Sequence, residues 1–337
     1  MKTEILSTLT PELFTAAVKR AAELLRAGEV VALPTETVYG LAANALDADA
    51  VAKIYSIKGR PAHNPIIVHV ADLLMAKRCF AAWPMSAEHL ANSFWPGPLT
   101  MVLPRTNIIP NIVTAGGDTV GVRWPSHPFI QAVIRACGFP LAAPSANLSN
   151  AISPTNAAHV SKQLGDQLAL IVDGGASHVG IESTVIDLAS PQPRVLRPGM
   201  IHEAALAAAM GSGFLGLASG VEHATLRSPG MLRKHYSPKA MLLVMEWRGD
   251  DDLRQQIATR DSQLVNPHVI AHTRIPSAEG FASVSVLPRD AAAFARSIYA
   301  ELHRCDEAGA EVIVVEALPN QPEWRGISDR LTRAAAD

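Results

Sequence analysis

The sequence predicts an α/β protein of two unequal domains. Short apolar runs of Val, Ile, Leu and Ala alternate with amphipathic stretches of helix length along the whole chain. The 337 residues are enough for two domains of ordinary size. Gly211 to Gly220 holds four glycines and no charge, and reads as the start of a linker. The expected division is a first domain over 1–210, a linker or lid over 211–239 and a smaller α/β domain over 240–337.

Thr10 to Ala27 predicts an amphipathic helix, with Thr10 as N-cap, Pro11 in the first turn and Gly28 past the end. Glu29 to Leu33 is a short strand running into Pro34-Thr35-Glu36-Thr37-Val38-Tyr39-Gly40. That turn sets two hydroxyls and a carboxylate at a strand end, where α/β sheets bind ligands. A helix over Ala48 to Ile57 delivers the chain to Lys58-Gly59-Arg60-Pro61. In extended backbone, residues i and i+2 project together, so Lys58 and Arg60 are expected on one face. Pro61 and Pro65 hold Arg60 and Asn64 out of the helical region. Two cations on a stiff edge suit a polyphosphate: arginine offers a planar fork, lysine a mobile point charge.

A strand over Ile66 to Val70 follows, then helices over Leu73 to Phe80 and Ser86 to Phe94, and a strand over Leu99 to Leu103. Thr119 to Arg123 is a strand with Thr119, Gly121 and Arg123 on one face. Ser126 and Pro128 start a helix to Cys137, and Pro140 to Ala143 is a small-residue strand. It leads to Pro144-Ser145-Ala146-Asn147, where Ser145 and Asn147 can face one ligand, and Ser153-Pro154-Thr155 reads as a helix start. Leu168 to Val172 and Glu182 to Asp187 are further strands, Val195 to Gly199 ends the sheet, and Ile201 to Met210 is helical. Ser228 to Pro238 joins the basic triplet Arg233-Lys234-His235 and the aromatic Tyr236 between Ser-Pro pairs, a composition that suits a lid or latch. Beyond it, strands near Met241, Val269, Val284 and Val312 alternate with helices over Asp250 to Ala258, Pro288 to Ala308 and Gly326 to Ala335. This part carries no GxGxxG loop, and a scaffolding or regulatory role is expected of it.

Hydrophobic residues make up 48% and charged ones 18%, so a sizeable core is available. A net charge of −2 speaks against a dedicated nucleic-acid binder. Cys79, Cys137 and Cys305 form no CxxC pair, so a structural zinc site is not expected and a reducing compartment is. The N-terminus lacks a signal-peptide pattern, and no uninterrupted apolar span reaches membrane length. A soluble, cytoplasmic protein without membrane association is the expectation.

The first domain thus collects the cations Lys58, Arg60, Arg123 and Arg197. To these it adds the hydroxyls of Thr35, Thr37, Thr119, Ser145, Ser153 and Ser183, the amides of Asn64 and Asn147, and His69. It has no nucleophile elbow, HExxH or Walker loop. Cations and neutral donors without a nucleophile suit nucleotidyl or phosphoryl transfer, in which the protein positions reactants and stabilises charge on phosphate oxygens. Mg²⁺ is expected to ride with the nucleotide.

The segments Pro34 to Leu41, Lys58-Gly59-Arg60-Pro61 with Asn64-Pro65 and His69, Pro144 to Asn147, Glu182 to Val185 and His235-Tyr236-Ser237-Pro238 resemble the threonylcarbamoyl-AMP synthases in their long form. The resemblance covers nearly the whole chain. It implies a YrdC-like twisted open α/β sheet domain followed by a smaller Rossmann-like α/β domain. It also implies a reaction: L-threonine, bicarbonate and ATP give threonylcarbamoyl-AMP and pyrophosphate. The product would pass to a tRNA-modifying transferase complex for threonylcarbamoyladenosine synthesis, with a weak tRNA contact as a further expectation. The resemblance assigns catalysis to Lys58, Arg60, Ser145 and Asn147. It assigns ATP to Arg60, Asn64, Thr119, Ser145, Ser153, Arg197, His235 and Tyr236. Threonine would be surrounded by Thr35, Thr37, His69, Arg123, Ala143 and Ser183, with Arg123 on its carboxylate, and the latch would close over both. Two other readings are a non-enzymatic RNA-binding module and the carbamoyl-transferring hydrogenase maturation proteins. The net charge disfavours the first, and the missing cysteine pairs disfavour the second.

Overall fold

The structure is a computed structural model that describes residues 3–211, 235–260 and 267–336. The chain divides into two compact units, Met1–Ser149 with Ser153–Met231, and Leu232–Asp337 with Asn150–Ile152.

The first unit contains β1 (Glu4–Ser7), α1 (Pro11–Arg26), β2 (Val31–Leu33), β3 (Gly40–Asn44), α2 (Ala48–Lys58) and β4 (Val68–His69). Then come α3 (Leu73–Cys79), α4 (Met85–Phe94), β5 (Leu99–Pro104), β6 (Thr119–Arg123), α5 (Pro128–Cys137) and β7 (Leu141–Ala142). It ends with α6 (Ala157–Leu164), β8 (Leu170–Asp173), β9 (Thr184–Asp187), β10 (Arg194–Arg197) and α7 (Glu203–Met210). The strands make one mixed sheet in the order β1-β8-β2-β3-β7-β4-β6-β5-β9-β10. Alternation along each strand decides which layer a side chain joins. Val31, Leu33, Leu170 and Val172 face α1 and α5, where Phe14 meets Phe129 edge-on at 5.2 Å. Ala32 and Ile171 face the opposite core, with Ile54, Leu90, Val160 and Leu206.

The second unit holds β11 (Met241–Met245), α8 (Asp250–Arg260), β12 (His268–Ala271), β13 (Ser283–Val286), α9 (Ala291–Glu307), β14 (Val312–Glu316) and α10 (Arg325–Ala334). Among the described residues its four strands are all parallel in the order β11-β14-β12-β13, around Trp247, Leu253, Val269 and Val314. Among the described residues no helix is long and apolar enough to cross a membrane.

Several expectations need correction. β3 is a strand where only a turn was expected, and β1 was not expected at all. Gly40-Leu-Ala-Ala-Asn has neither β-branching nor alternation, because both faces of β3 are buried. The strand expected from Ile66 to Val70 shrinks to two residues, and the one from Glu182 starts at Thr184. α6 starts at Ala157 with Asn156 as cap, later than Ser153. Lys58 is not in extended backbone: it is the last residue of α2, and Gly59 ends that helix in the left-handed region at φ 57°. Segments 228–234 of the expected latch, and most of the 211–239 linker, lie outside the described residues.

Candidate active site

The strand ends and loops of the first unit gather most of the expected side chains. Gly40 bridges Ser145 across β3, the Leu41 N–H donates to the Pro144 carbonyl at 2.7 Å, and the Ala146 N–H donates to the Tyr39 carbonyl at 2.8 Å. A Cβ on Gly40 would sit in van der Waals contact with the Ala143 Cβ at 3.4 Å, so the two loops pack closely here. This pairing fixes the 144–147 loop beside the 34–40 loop. The Ser149 N–H donates to the Lys58 carbonyl at 2.8 Å and brings the end of α2 to the same place.

The Lys58 ammonium is buried there. It donates to the carbonyls of Ser145 and Asn147 and, at 3.2 Å, to the Asn147 Oδ1. Ser145 and Asn147 therefore meet Lys58 largely through backbone. Burial, and then the nearby Arg60 charge, hold the ammonium well below the ordinary lysine range, against the pull of Glu182. Arg60 is buried too. Its guanidinium donates to the Asn64 carbonyl at 3.0 Å, the Asn64 Oδ1 at 2.8 Å and the Pro65 carbonyl at 2.6 Å. The X-Pro turns thus serve as a mould for the fork.

A second group surrounds Arg123 at the end of β6. Its Nη1 donates to the Thr37 Oγ1 at 2.7 Å, and its Nη2 lies 2.6 Å from the Glu36 Oε1. That second contact is one of charge, because the same Nη2 makes no aligned hydrogen bond. The Ser126 N–H also donates to Glu36 Oε1, at 3.0 Å. Burial raises the Glu36 carboxyl, but Arg123 and the Ser126 N–H outweigh it and leave the group lowered. The Thr35 and Thr37 hydroxyls lie 3.0 Å apart. His69 pairs in register with Arg123 across β4 and β6. Burial, reinforced by the Arg123 charge, holds its imidazole down at about 3, so it is neutral at physiological pH.

A third group lies at the mouth of β9. The Ser183 Oγ is 2.8 Å from the Thr100 Oγ1 and accepts from the Arg197 Nη2 at 3.1 Å. Ser153 donates to Glu182 at 2.5 Å. Thr119 and Thr100 line a small cleft with Gly121, Ile67 and Val185.

Among the described residues of the first unit, the buried side-chain atoms without a hydrogen-bond partner are Glu36 Oε2, Asn64 Nδ2, His69 Nδ1, Trp124 Nε1 and Arg123 Nη2, the last being ion-paired with Glu36 Oε1. Native interiors rarely leave such atoms unsatisfied unless a ligand or water serves them. Ala143 contributes backbone, its N–H bound to the Ile67 carbonyl at 3.1 Å. His235 and Tyr236 belong to the second unit. There the Tyr236 ring packs against His235 and Tyr299, and the Arg330 guanidinium lies 5.1 Å from its centroid. The sequence reading placed the Glu36 carboxylate at a ligand-binding strand end but named no partner for it, and gave no role to Thr100 or Glu182. A threonine inside the apolar run Leu99-Thr100-Met101-Val102 was the available signal for Thr100; the partners of the two glutamates are distant in sequence.

A family profile described as "Telomere recombination" matches residues 23–199, and one described as "Threonylcarbamoyl-AMP synthase, C-terminal domain" matches 199–336. The threonylcarbamoyl-AMP synthase of Bacillus subtilis is 40% identical over 338 residues, 99% of this chain and 95% of that one. The chain belongs to the threonylcarbamoyl-AMP synthase family. The synthase of Pyrococcus abyssi is 38% identical over 94% of both chains. A crystal structure of P. abyssi Sua5 complexed with L-threonine superposes with a TM-score of 0.89, at 36% identity, over 99% of this chain and 98% of that one. The threonylcarbamoyl-AMP synthase fold therefore extends through both units.

Proposed function

We propose that the first unit joins L-threonine, bicarbonate and ATP into threonylcarbamoyl-AMP, with release of pyrophosphate and water. The observation that carries this reading is a convergence of buried cations. Lys58, Arg60, Arg123 and Arg197 all lie buried at the strand ends and loops of the first unit, and the Lys58 ammonium rests on carbonyl and amide oxygens. Away from water, their charges act on a bound anion with little screening. A site of this kind is built to receive anions, and a triphosphate with an amino-acid carboxylate supplies them.

Arg60, Asn64, Thr119, Ser145, Ser153 and Arg197 hold the nucleotide in this reading. Thr35, Thr37, His69, Arg123, Ala143 and Ser183 surround threonine. The threonine ammonium and bicarbonate give the N-carboxylate, one water and one proton. An oxygen of that carboxylate attacks the α-phosphorus, the bond to the bridging oxygen breaks, and pyrophosphate leaves with the electron pair. Lys58 and Arg60 stabilise the charge that grows on the phosphate oxygens. A triphosphate beside Lys58 also restores its full protonation, because an opposite charge favours the ammonium. Magnesium is part of the substrate here, carried on phosphate oxygens.

The product then passes to a transferase that modifies tRNA. Mass spectrometry after incubation with ATP, threonine, ¹³C-bicarbonate and Mg²⁺ tests the reading. The adenylate should carry one ¹³C and form with one equivalent of pyrophosphate. ATP consumption indifferent to threonine would overturn it.

A further inference from the structure

The second carboxylate oxygen of Glu36 has no part in the site described so far. Its first oxygen is taken by Arg123 and by the Ser126 N–H. Its second, Oε2, is buried with no hydrogen-bond partner. Thr37 does not serve it, since the Thr37 hydroxyl accepts from Arg123 and faces Thr35. We propose that Glu36 contacts the amino-acid substrate itself, its Oε2 accepting an N–H of the α-nitrogen while Arg123 holds the α-carboxylate. This rests on the threonine reading above and adds the group that recognises the nitrogen.

The chemistry of the orphaned atoms selects the ligand. Glu36 Oε2 is an acceptor, Arg123 Nη2 a donor, and His69 Nδ1 a third buried atom beside them. An α-amino acid presents an N–H donor and a carboxylate acceptor on one α-carbon, and so can serve both sides of an ion pair at once. The charges agree as well. Glu36 and Arg123 cancel, and a zwitterion adds none, whereas a carboxylic acid without the nitrogen would set an uncompensated anion beside Glu36.

Glu36 accepts without taking the proton. Arg123 and the Ser126 N–H keep its carboxyl lowered despite burial, so proton transfer from nitrogen to Glu36 is uphill. Bicarbonate itself takes the ammonium proton and gives CO₂ and water; the free amine then adds to CO₂, and the second proton passes to solvent. Carboxylation then reverses the electrostatics at nitrogen. The ammonium is drawn to Glu36, but the N-carboxylate is an anion, repelled by Glu36 and attracted to Lys58 and Arg60. Glu36 thus selects the free amino acid and helps to turn the activated form toward the nucleotide.

The test is calorimetric titration of the full chain with L-threonine and with 3-hydroxybutanoate, the same skeleton without the nitrogen. The unaltered protein should prefer threonine by about tenfold or more, the worth of a hydrogen bond to a charged group. Glu36→Gln should weaken threonine by a similar factor and narrow the preference, leaving 3-hydroxybutanoate unchanged or tighter. Equal weakening of both ligands would mean that Glu36 acts only by holding Arg123, and would overturn the proposal. If the variant does not fold, the unaltered protein still decides, because equal affinity for the two ligands overturns it directly. Failure of the unaltered protein to bind threonine at all would instead remove the threonine reading on which the proposal stands.

Discussion

The Lys58 Nζ lies 2.5 Å from the carbonyl oxygen of Asn147, 89 residues away in the chain. The end of a helix and the loop after a two-residue strand thus share one buried ammonium. Two carbonyl dipoles stabilise that charge, but they do not neutralise it. The arrangement leaves a cation poised for an anion, with Glu182 also within electrostatic reach.

Replacing Lys58 by Met should therefore separate catalysis from folding. The apolar chain removes a costly buried charge, so the melting temperature should hold or rise, while the adenylate rate falls by roughly 10²–10³, the usual effect of losing one transition-state donor. Differential scanning fluorimetry with the pyrophosphate-release assay checks both halves.

Arg60→Lys keeps the charge but loses the fork that donates to Asn64 and Pro65. Charge-assisted hydrogen bonds are worth about 1.5–3 kcal/mol, so KM for ATP should rise ~10–100-fold. KM for threonine should stay within about twofold, since threonine meets Arg123 in this account. Steady-state kinetics with each substrate varied in turn reads the difference.

How far the sequence foretold this site depends on the range of the interaction. Thr119–Arg123 was legible to the residue, because valine alternation and Pro125 mark both the strand and its end. The cations themselves were legible from residue type. The convergence of Lys58 and Arg60 was expected for the wrong reason: a left-handed Gly59 after a helix redirects the chain, and extended backbone has no role. The Glu36–Arg123 pair spans 87 positions, and nothing local to either residue announces it. β3 was missed because a strand buried on both faces and built of small residues has no alternation to read.

His69 predicts a pH dependence. Its folded value of about 3 lies below the ordinary 6.5, so the folded state binds fewer protons than the unfolded chain between those values. Stability contributed at His69 is complete above pH 6.5 and is lost as pH falls toward 3. Each pKa unit is worth about 1.4 kcal/mol, so the loss reaches a few kcal/mol in the acid range. His69→Gln should flatten the fall in urea-unfolding stability between pH 6.5 and 4.5. Parallel curves for the two proteins would contradict a buried neutral imidazole.

Gly121 lines the cleft shared with Thr119, and a Cβ there would stand 3.2 Å from the Thr100 Cγ2. Gly121→Val should cost about 1–3 kcal/mol of stability by overpacking. It should also weaken ATP by about tenfold while sparing threonine, if this cleft belongs to the nucleotide. Paired titrations with the two ligands measure it.

The measurement closest to the central claim is a crystal structure with a non-hydrolysable ATP analogue and L-threonine bound together. The phosphates should lie against Lys58 and Arg60, with the threonine carboxylate on Arg123 and its nitrogen on the Glu36 Oε2. A nucleotide seated away from Lys58 and Arg60, or threonine bound apart from Arg123, would contradict the account.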